Sequence, residues 1–170
     1  MDIALLIVRV VLGLAIARHG AEKLFGWFGG YGVAGTAGFF EQLGWRPGKL
    51  FVFGAIAAEL GGGLLTVFGL GGPIGPALIV MVMLVAIFSV HFAKGFANTN
   101  GGYELNAMYI AAALAPAFDL GAYSLDRAFG ITALHSPAAV WTTLGVAALL
   151  AIANLLARKP AAAAQPVATT

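Results

Sequence analysis

Cysteine is absent from this 170-residue chain. Disulfide bonds, thiolate metal sites and iron–sulfur clusters all require cysteine side chains, so the chain carries none of these centres. A redox role therefore depends on a partner protein or on a cofactor held without a covalent bond. We expect no cofactor to be encoded by the chain, and we expect no metal site.

Charge is the second shortage, because Asp, Glu, Lys and Arg make up only 9% of the residues while 61% are hydrophobic. The formal net charge is +2, and no run of Lys or Arg forms a basic stripe. This excludes a nucleic-acid-binding protein. Since a soluble domain of this size does not have such a composition, the main partner of the chain is predicted to be the lipid bilayer.

Long apolar runs dominate what is present. A membrane-spanning helix takes about 20 apolar residues, so a chain of this length has room for four or five spans and little else. The fold class is therefore predicted to be all-α, an integral membrane helix bundle. The predicted spans cover residues 3–25, 50–70, 74–92, 104–118 and 138–156.

Breaks in the apolar pattern divide the chain further. Glycine and aromatic residues at 26–32 end the first span, and the helical pattern at 33–45 is too short to span, so it predicts an interfacial or re-entrant helix. We expect a core domain at 1–129 and an additional C-terminal transmembrane helix at 130–157. The Ala-, Pro- and Thr-rich tail at 158–170 is predicted to be disordered.

The Lys and Arg residues fall unequally between the two sides. If five spans are correct, seven of the nine lie on one side, Arg127 lies on the other, and Arg9 is intramembrane. The positive-inside rule then predicts an external N-terminus and a cytoplasmic C-terminus. The seven are Arg18, Lys23, Arg46, Lys49, Lys94, Arg158 and Lys159.

Two intramembrane charges, Arg9 and Glu59, need an explanation, because each costs about 2.5 to 3.5 kcal/mol to insert. The two spans run antiparallel, and residue counting puts the charges at similar depth, so we expect an Arg9–Glu59 ion pair. At 100° per residue, Arg9 shares one helix face with Gly13, Gly20 and Lys23, and this face is predicted to point into the protein. Two interpretations stay open: a structural pair at a tight helix contact, or the polar wall of a quinone-sized or proton-relay site.

A second polar cluster is predicted near the cytoplasmic side. It contains His19 and Lys23 from the first span, His91 from the third, and Glu104 and Asn106 at the start of the fourth. Two histidines on neighbouring helices suit haem or metal ligation, but neither has a paired ligand four residues away. The pattern favours interfacial histidines bonded to carbonyl groups or lipid headgroups.

Aromatic side chains concentrate between the first two spans. Their position is typical of interfacial anchors, and the alternative is a grip on an isoprenoid chain or a naphthoquinone ring. Asp119, Asp126 and Arg127, in the connection before the last span, are interpreted as loop charges exposed to water. The aromatic group consists of Trp27, Phe28, Tyr31, Phe39, Phe40 and Trp45.

Three strings in order resemble the DoxX family of small bacterial membrane proteins. After Arg9 come GAEKLF at 20–25, ELGGGL at 59–64 and NGGYELN at 100–106. Their spacing and order agree with the family over about residues 3–129. The resemblance implies a four-helix core, a bacterial inner-membrane location, and redox-associated subunits linked to thiosulfate oxidation with quinone reduction or to resistance against quinones and oxidative stress.

From these residues we expect a membrane subunit that binds a quinone or similar apolar ring between the first, second and fourth spans. It would be at most a subunit of an oxidoreductase, working with a partner that holds the electrons, and it could form a homo-oligomer. The alternative is a non-enzymatic scaffold or small-molecule transporter, and the lack of an inverted repeat weakens transport. The candidate ligand-binding residues are Arg9, His19, Lys23, Glu59, His91, Glu104 and Asn106.

Overall fold

The computed structural model describes residues 1–159, and these residues form helices and connecting loops without a strand. The all-α membrane bundle predicted from the sequence is confirmed. The predicted tail lies outside the described residues from residue 160 onward. The helices are α1 (Asp2–Phe25), α2 (Gly32–Gln42), α3 (Gly48–Phe68), α4 (Ile74–Lys94), α5 (Glu104–Phe118), α6 (Leu125–Ala128) and α7 (Pro137–Leu156).

Four helices, α1, α3, α4 and α7, are long and apolar enough to cross a membrane, with 20 to 24 residues each. At about 1.5 Å per residue they reach about 30 Å or more, the thickness of the hydrocarbon core. Helix α5 has the predicted bounds, but its 15 residues are fewer than a span needs. It packs against α1 and α4 and so completes the bundle without matching the length of the other helices.

Local signals explain where the helices end and begin. Helix α1 stops at Gly26, whose φ of 72° is the left-handed conformation that glycine adopts readily, and the Gly26 N–H bonds to Glu22 O. Helix α7 starts after Ser136, whose Oγ accepts from the Ala139 N–H, with Pro137 in the first turn. Both boundaries agree with the sequence interpretation.

Helices α1 and α3 are antiparallel and lie very close together. A Cβ atom on Gly13 would lie 2.6 Å from Gly63 O, and one on Gly20 would lie 2.6 Å from Leu60 N. Small residues permit this approach, as they do in many membrane helix pairs. The face of α1 that was predicted to point into the protein does so. Buried apolar residues continue the core beside this contact: Leu12, Ile16, Ala58, Ile79, Val80, Val82, Met83 and Ala113.

The bundle has two ends with different contents. At one end Arg158 Nε donates to Leu43 O (2.9 Å) and the Lys159 N–H donates to Gly44 O (2.8 Å), so the end of α7 returns to the loop before α3. Arg158 and Lys159 therefore lie at the same end of the bundle as the loop that precedes α3. We call residues 18–49, 87–106 and 152–159 the Lys23 end, and residues 1–13, 66–75 and 117–138 the Arg9 end.

Candidate functional site

A cavity of about 320 Å³ lies near the Lys23 end, between α2, α3 and α4, with Lys23 of α1 and Asn154 of α7 at its edges. This volume is at the lower end of the range of small-molecule sites. Most of the wall is apolar, and its aromatic members are Phe39, Phe40, Trp45 and Phe51. The polar groups in the wall are Lys23, Glu59, Ser89, His91 and Asn154.

One ion pair belongs to this wall. Lys23 Nζ lies 2.6 Å from Glu59 Oε2, and only 9% of the Glu59 side chain is exposed. Lys23 Nζ also donates to His19 O at 3.4 Å. An ammonium group has three hydrogens and a carboxylate has two oxygens, so the pair keeps hydrogen-bonding capacity for a ligand in the cavity.

Two π-helical turns supply most of the polar wall. The turn Ala57–Gly61 in α3 carries Glu59, and the turn Ile87–His91 in α4 carries Ser89 and His91. Such turns are rare and occur frequently at functional sites, because the extra residue redirects side chains relative to a regular helix. The polar side chains of both π-helical turns therefore line the same cavity.

The predicted Arg9–Glu59 pair is wrong. Arg9 is 1% exposed, and its guanidinium donates from Nε to Thr66 O (3.1 Å), from Nη2 to Val67 O (2.9 Å) and Tyr123 O (3.0 Å), and from Nη1 to Leu120 O. The guanidinium binds backbone carbonyl groups at the C-terminal end of α3 and in the loop after α5. The Thr66 and Val67 carbonyls lie in the last turn of α3 and carry the negative partial charge of a helix end, which favours a cation.

The register of α1 against α3 explains the error. Gly13 faces Gly63 and Gly20 faces Leu60, so Glu59 is level with Lys23 and not with Arg9. Positions 9 and 23 are about 21 Å apart along the α1 axis at about 1.5 Å per residue. Arg9 therefore lies outside the cavity, at the other end of the bundle.

Three further candidates are near the Lys23 end but do not line the cavity. His19 Nδ1 lies 3.1 Å from Glu22 Oε2. Glu104 Oε2 accepts from the Asn98 N–H at 2.9 Å, and Asn106 Nδ2 donates to Met83 Sδ at 3.4 Å. Of the seven predicted residues, the cavity brings together Lys23, Glu59 and His91. Across residues 1–159, no three His, Asp or Glu side chains gather as a metal site would require.

Trp45 differs from the exposed interfacial anchor that its position predicted. It is 2% exposed, its Nε1–H donates to Asn154 O (2.9 Å), and the Arg158 guanidinium lies 5.1 Å from its ring centre. Trp27, Phe28 and Tyr31 are more than half exposed. Trp45 is therefore a buried contact between the loop before α3 and the end of α7, and a part of the cavity wall.

Asp126 also differs from the loop charge exposed to water that its position predicted. Its carboxylate is fully buried, accepts from the N–H groups of Gly71 (2.9 Å) and Gly72 (2.6 Å), and lies 3.0 Å from His135 Nε2. It ties the loop after α5 to the turn between α3 and α4. No local pattern in the sequence indicates this tie, because Gly71 and Gly72 are more than 50 positions from Asp126.

Other residues of the cavity wall were not predicted from the sequence, and one of them, Asn154, had a sequence feature that could have indicated it. Asn154 is a polar side chain in an otherwise apolar spanning helix, and such residues usually face protein or a cavity. Ser89 Oγ donates to Val85 O (2.6 Å), a bond that serines in helices commonly form. The presence of a serine in this helix therefore did not indicate a site. Gly54 forms an open part of the wall, and a Cβ added there would meet no atom within 4 Å.

These features define a helical membrane protein with an apolar, aromatic-lined cavity and a partly buried ion pair in its wall. The chain belongs to the DoxX family, whose model matches residues 4–92. This match includes Lys23, Glu59 and His91 and ends before the string at 100–106.

A relative and the solved structures add further comparisons. A Bacillus subtilis (strain 168) protein named "Putative oxidoreductase CatD" is 33% identical over 95 residues, which are 56% of this chain and 65% of that protein. The chain thus matches slightly less than two thirds of the length of this relative. No solved structure matches the chain.

Proposed function

We propose that this protein is a membrane component of redox metabolism that binds a quinone or a similar apolar ring in the cavity at the Lys23 end. The observation that carries the proposal is the aromatic-lined cavity of about 320 Å³ with the Lys23–Glu59 pair in its wall. The name of the Bacillus subtilis relative, "Putative oxidoreductase CatD", supports the redox association.

The chemistry of the wall suits such a ring. Lys23 Nζ is the donor for a carbonyl oxygen, and Glu59 holds the ammonium group in place through the 2.6 Å contact. Phe40 and Trp45, whose ring centres are 5.4 Å apart, offer faces and edges to a flat ligand. Because the chain has no cysteine and no motif for a bound redox group, the electrons belong to a partner oxidoreductase.

We also propose that the Lys23 end faces the cytoplasm, because seven of the nine Lys and Arg residues lie there. The absence of cysteine makes a direct test simple, since single variants carry one thiol. We expect Arg127→Cys to react with a membrane-impermeant maleimide in intact spheroplasts, and Lys49→Cys to react only after permeabilisation. The reverse pattern would contradict this orientation.

Two glycines on α3 provide the test of ring binding. A Cβ at Gly54 or at Gly61 meets no atom within 4 Å, but only Gly54 lines the cavity. Gly54→Leu therefore fills the cavity, and Gly61→Leu is the matched control on the same helix. Small molecules extracted from each protein, purified in mild detergent, are identified by mass spectrometry.

We expect a quinone or related ring compound in the wild type and in Gly61→Leu, and its loss from Gly54→Leu while that variant stays monodisperse. If all three proteins hold the same amount of a ring compound, it binds elsewhere and the proposed site is wrong. If a ring compound is found in none of them, and added naphthoquinone does not bind, a scaffold without a ring ligand replaces the proposed function.

A further inference from the structure

The imidazole of His91 is held in one orientation. Its Nδ1 lies 2.7 Å from Gly101 O, in the loop between α4 and α5. A carbonyl oxygen only accepts, so the hydrogen of this bond must be on Nδ1. In the neutral imidazole, Nε2 then carries a lone pair and accepts a hydrogen bond.

The other edge of this ring belongs to the cavity. His91 lines the cavity and Gly101 does not, so the bond to Gly101 O occupies Nδ1 and leaves Nε2 as the ring nitrogen available to a ligand in the cavity. Position 91 ends the π-helical turn of α4, which also carries Ser89. The bond to Gly101 O therefore fixes which nitrogen of His91 the α4 side of the cavity offers to a ligand.

The Ser89 hydroxyl oxygen is a hydrogen-bond acceptor, as His91 Nε2 is. The Ser89 hydroxyl uses its hydrogen in the 2.6 Å bond to Val85 O, which leaves its oxygen as an acceptor. Lys23, on α1, is the donor in the wall. The cavity thus has acceptors on its α4 side and an ammonium donor on another side.

A ligand that carries only carbonyl oxygens pairs with the donor and leaves the acceptors on α4 without partners. A ring hydroxyl donates to them. We propose that the ligand of this cavity is a hydroxylated aromatic ring, a phenol or hydroquinone, whose O–H donates to His91 Nε2. This inference rests on the proposed ring site and adds that the hydroxyl-bearing form is preferred.

The test uses three probes with the same naphthalene ring. 1-Naphthol carries a hydroxyl group, 1-methoxynaphthalene carries the oxygen without its hydrogen, and 1,4-naphthoquinone carries carbonyl groups alone. Affinities are measured by isothermal titration calorimetry on the full chain in lipid nanodiscs, with empty nanodiscs as the blank. We expect wild type to bind 1-naphthol about tenfold more tightly than 1-methoxynaphthalene, as one buried hydrogen bond allows.

Variants assign the preference to the imidazole. His91→Phe keeps a ring but has no acceptor, so we expect equal affinities for 1-naphthol and 1-methoxynaphthalene. His91→Gln supplies an amide oxygen and should retain part of the preference. His19→Phe is the control, because this histidine lies at the same end and does not line the cavity. Unchanged binding of 1-methoxynaphthalene by His91→Phe shows that the cavity is still formed.

The outcomes separate the two proposals. If wild type binds the naphthalene probes but does not distinguish 1-naphthol from 1-methoxynaphthalene, or if His91→Phe keeps the distinction, the hydroxyl inference is wrong and the ring site stands. If 1,4-naphthoquinone binds more tightly than 1-naphthol, the carbonyl form is preferred and the inference is also wrong. If none of the probes binds, the ring site itself fails.

Discussion

Each end of the bundle contains a cation of α1, and the two cations have different partners. Arg9 donates to four backbone carbonyl groups from α3 and the loop after α5. Lys23 pairs with one carboxylate, that of Glu59, beside a cavity. Arg9 is 1% exposed and all three of its side-chain nitrogens bind the fold, whereas the Lys23 side chain is 20% exposed and keeps hydrogen-bonding capacity.

The difference shows how a buried charge can be classified. A guanidinium has five N–H donors, and Arg9 directs them from all three nitrogens to the backbone, which joins three segments of the chain. The Lys23–Glu59 pair holds together only α1 and α3 and retains free capacity. The contacts of Arg9 therefore favour a role in the stability of the fold, and those of the pair favour a role in the proposed ligand site.

The largest effect is expected for Arg9→Ala. Four carbonyl groups would lose the Arg9 donor inside the bundle, and of these Thr66 O keeps the Gly69 N–H as a second donor. Each of the other three groups would cost about 1 to 3 kcal/mol, so the free energy of unfolding should fall by about 3 to 9 kcal/mol. Thermal unfolding in detergent, followed by circular dichroism, measures the loss. Arg9→Lys should recover little of it, because an ammonium cannot reproduce the planar set of donors.

The control for this prediction is Arg18→Ala on the same helix. Arg18 is half exposed and forms a surface pair with Glu22, so its loss should cost less than about 1 kcal/mol. If Arg9→Ala unfolds like the wild type and instead loses the ring ligand, then Arg9 belongs to the binding site and the contrast between the two ends fails.

The next effect is expected at Glu59. Glu59→Ala leaves the Lys23 ammonium without its counter-ion. Because the Lys23 side chain is 20% exposed, the cost should be about 2 to 3 kcal/mol, below that of breaking a fully buried pair. Replacing both residues, as Lys23→Met with Glu59→Leu, should restore most of the stability, because apolar side chains fill the same space. A double-mutant cycle of unfolding free energies measures this recovery.

Ring binding then completes the test of the pair. The stable double variant should fail to bind 1,4-naphthoquinone in nanodiscs, since the donor for its carbonyl oxygen is missing. A double variant that is stable and binds the ring as the wild type does would make the pair a structural feature like Arg9.

Much of the fold could be predicted because it depends on local composition and period. Apolar runs gave the long helices, glycine and proline marked their ends, and the 100° period identified the inward face of α1 with Gly13 and Gly20. The shortness of α5 was also visible in the sequence, since its apolar run ends at Pro116 and Asp119. These signals need no knowledge of which helix packs on which.

The site depended on information that is not local. Counting residues from assumed membrane boundaries placed Arg9 beside Glu59, whereas glycine contacts set a register that places Lys23 there. The π-helical turns that carry Glu59 and His91 have no reliable sequence signature, and the partners of Asp126 come from a distant turn. Pairings of this kind require the three-dimensional packing.

A smaller effect is expected for Asp126→Asn at the Arg9 end. The amide keeps one oxygen for the N–H groups of Gly71 and Gly72 but loses the charge and one acceptor, so the unfolding free energy should fall by about 2 kcal/mol. Asp119→Asn is the matched control, because Asp119 is exposed and accepts only from the nearby Gly121 N–H. Ring binding should be unchanged in both, and a loss of binding in Asp126→Asn would couple the two ends.

The smallest effect is expected for Trp45→Phe, which tests how α7 completes the Lys23 end. Phenylalanine keeps an aromatic wall for the cavity but cannot donate to Asn154 O, and one such hydrogen bond contributes about 1 kcal/mol. Trp141→Phe is the matched control, since Trp141 on α7 is 64% exposed. Circular dichroism melts should separate the two variants, and ring affinity should fall a few-fold only for Trp45→Phe, because the bond that holds the α7 wall against the cavity is lost. If the two variants behave alike, Trp45 acts only as an aromatic anchor, and the cavity does not depend on the last helix.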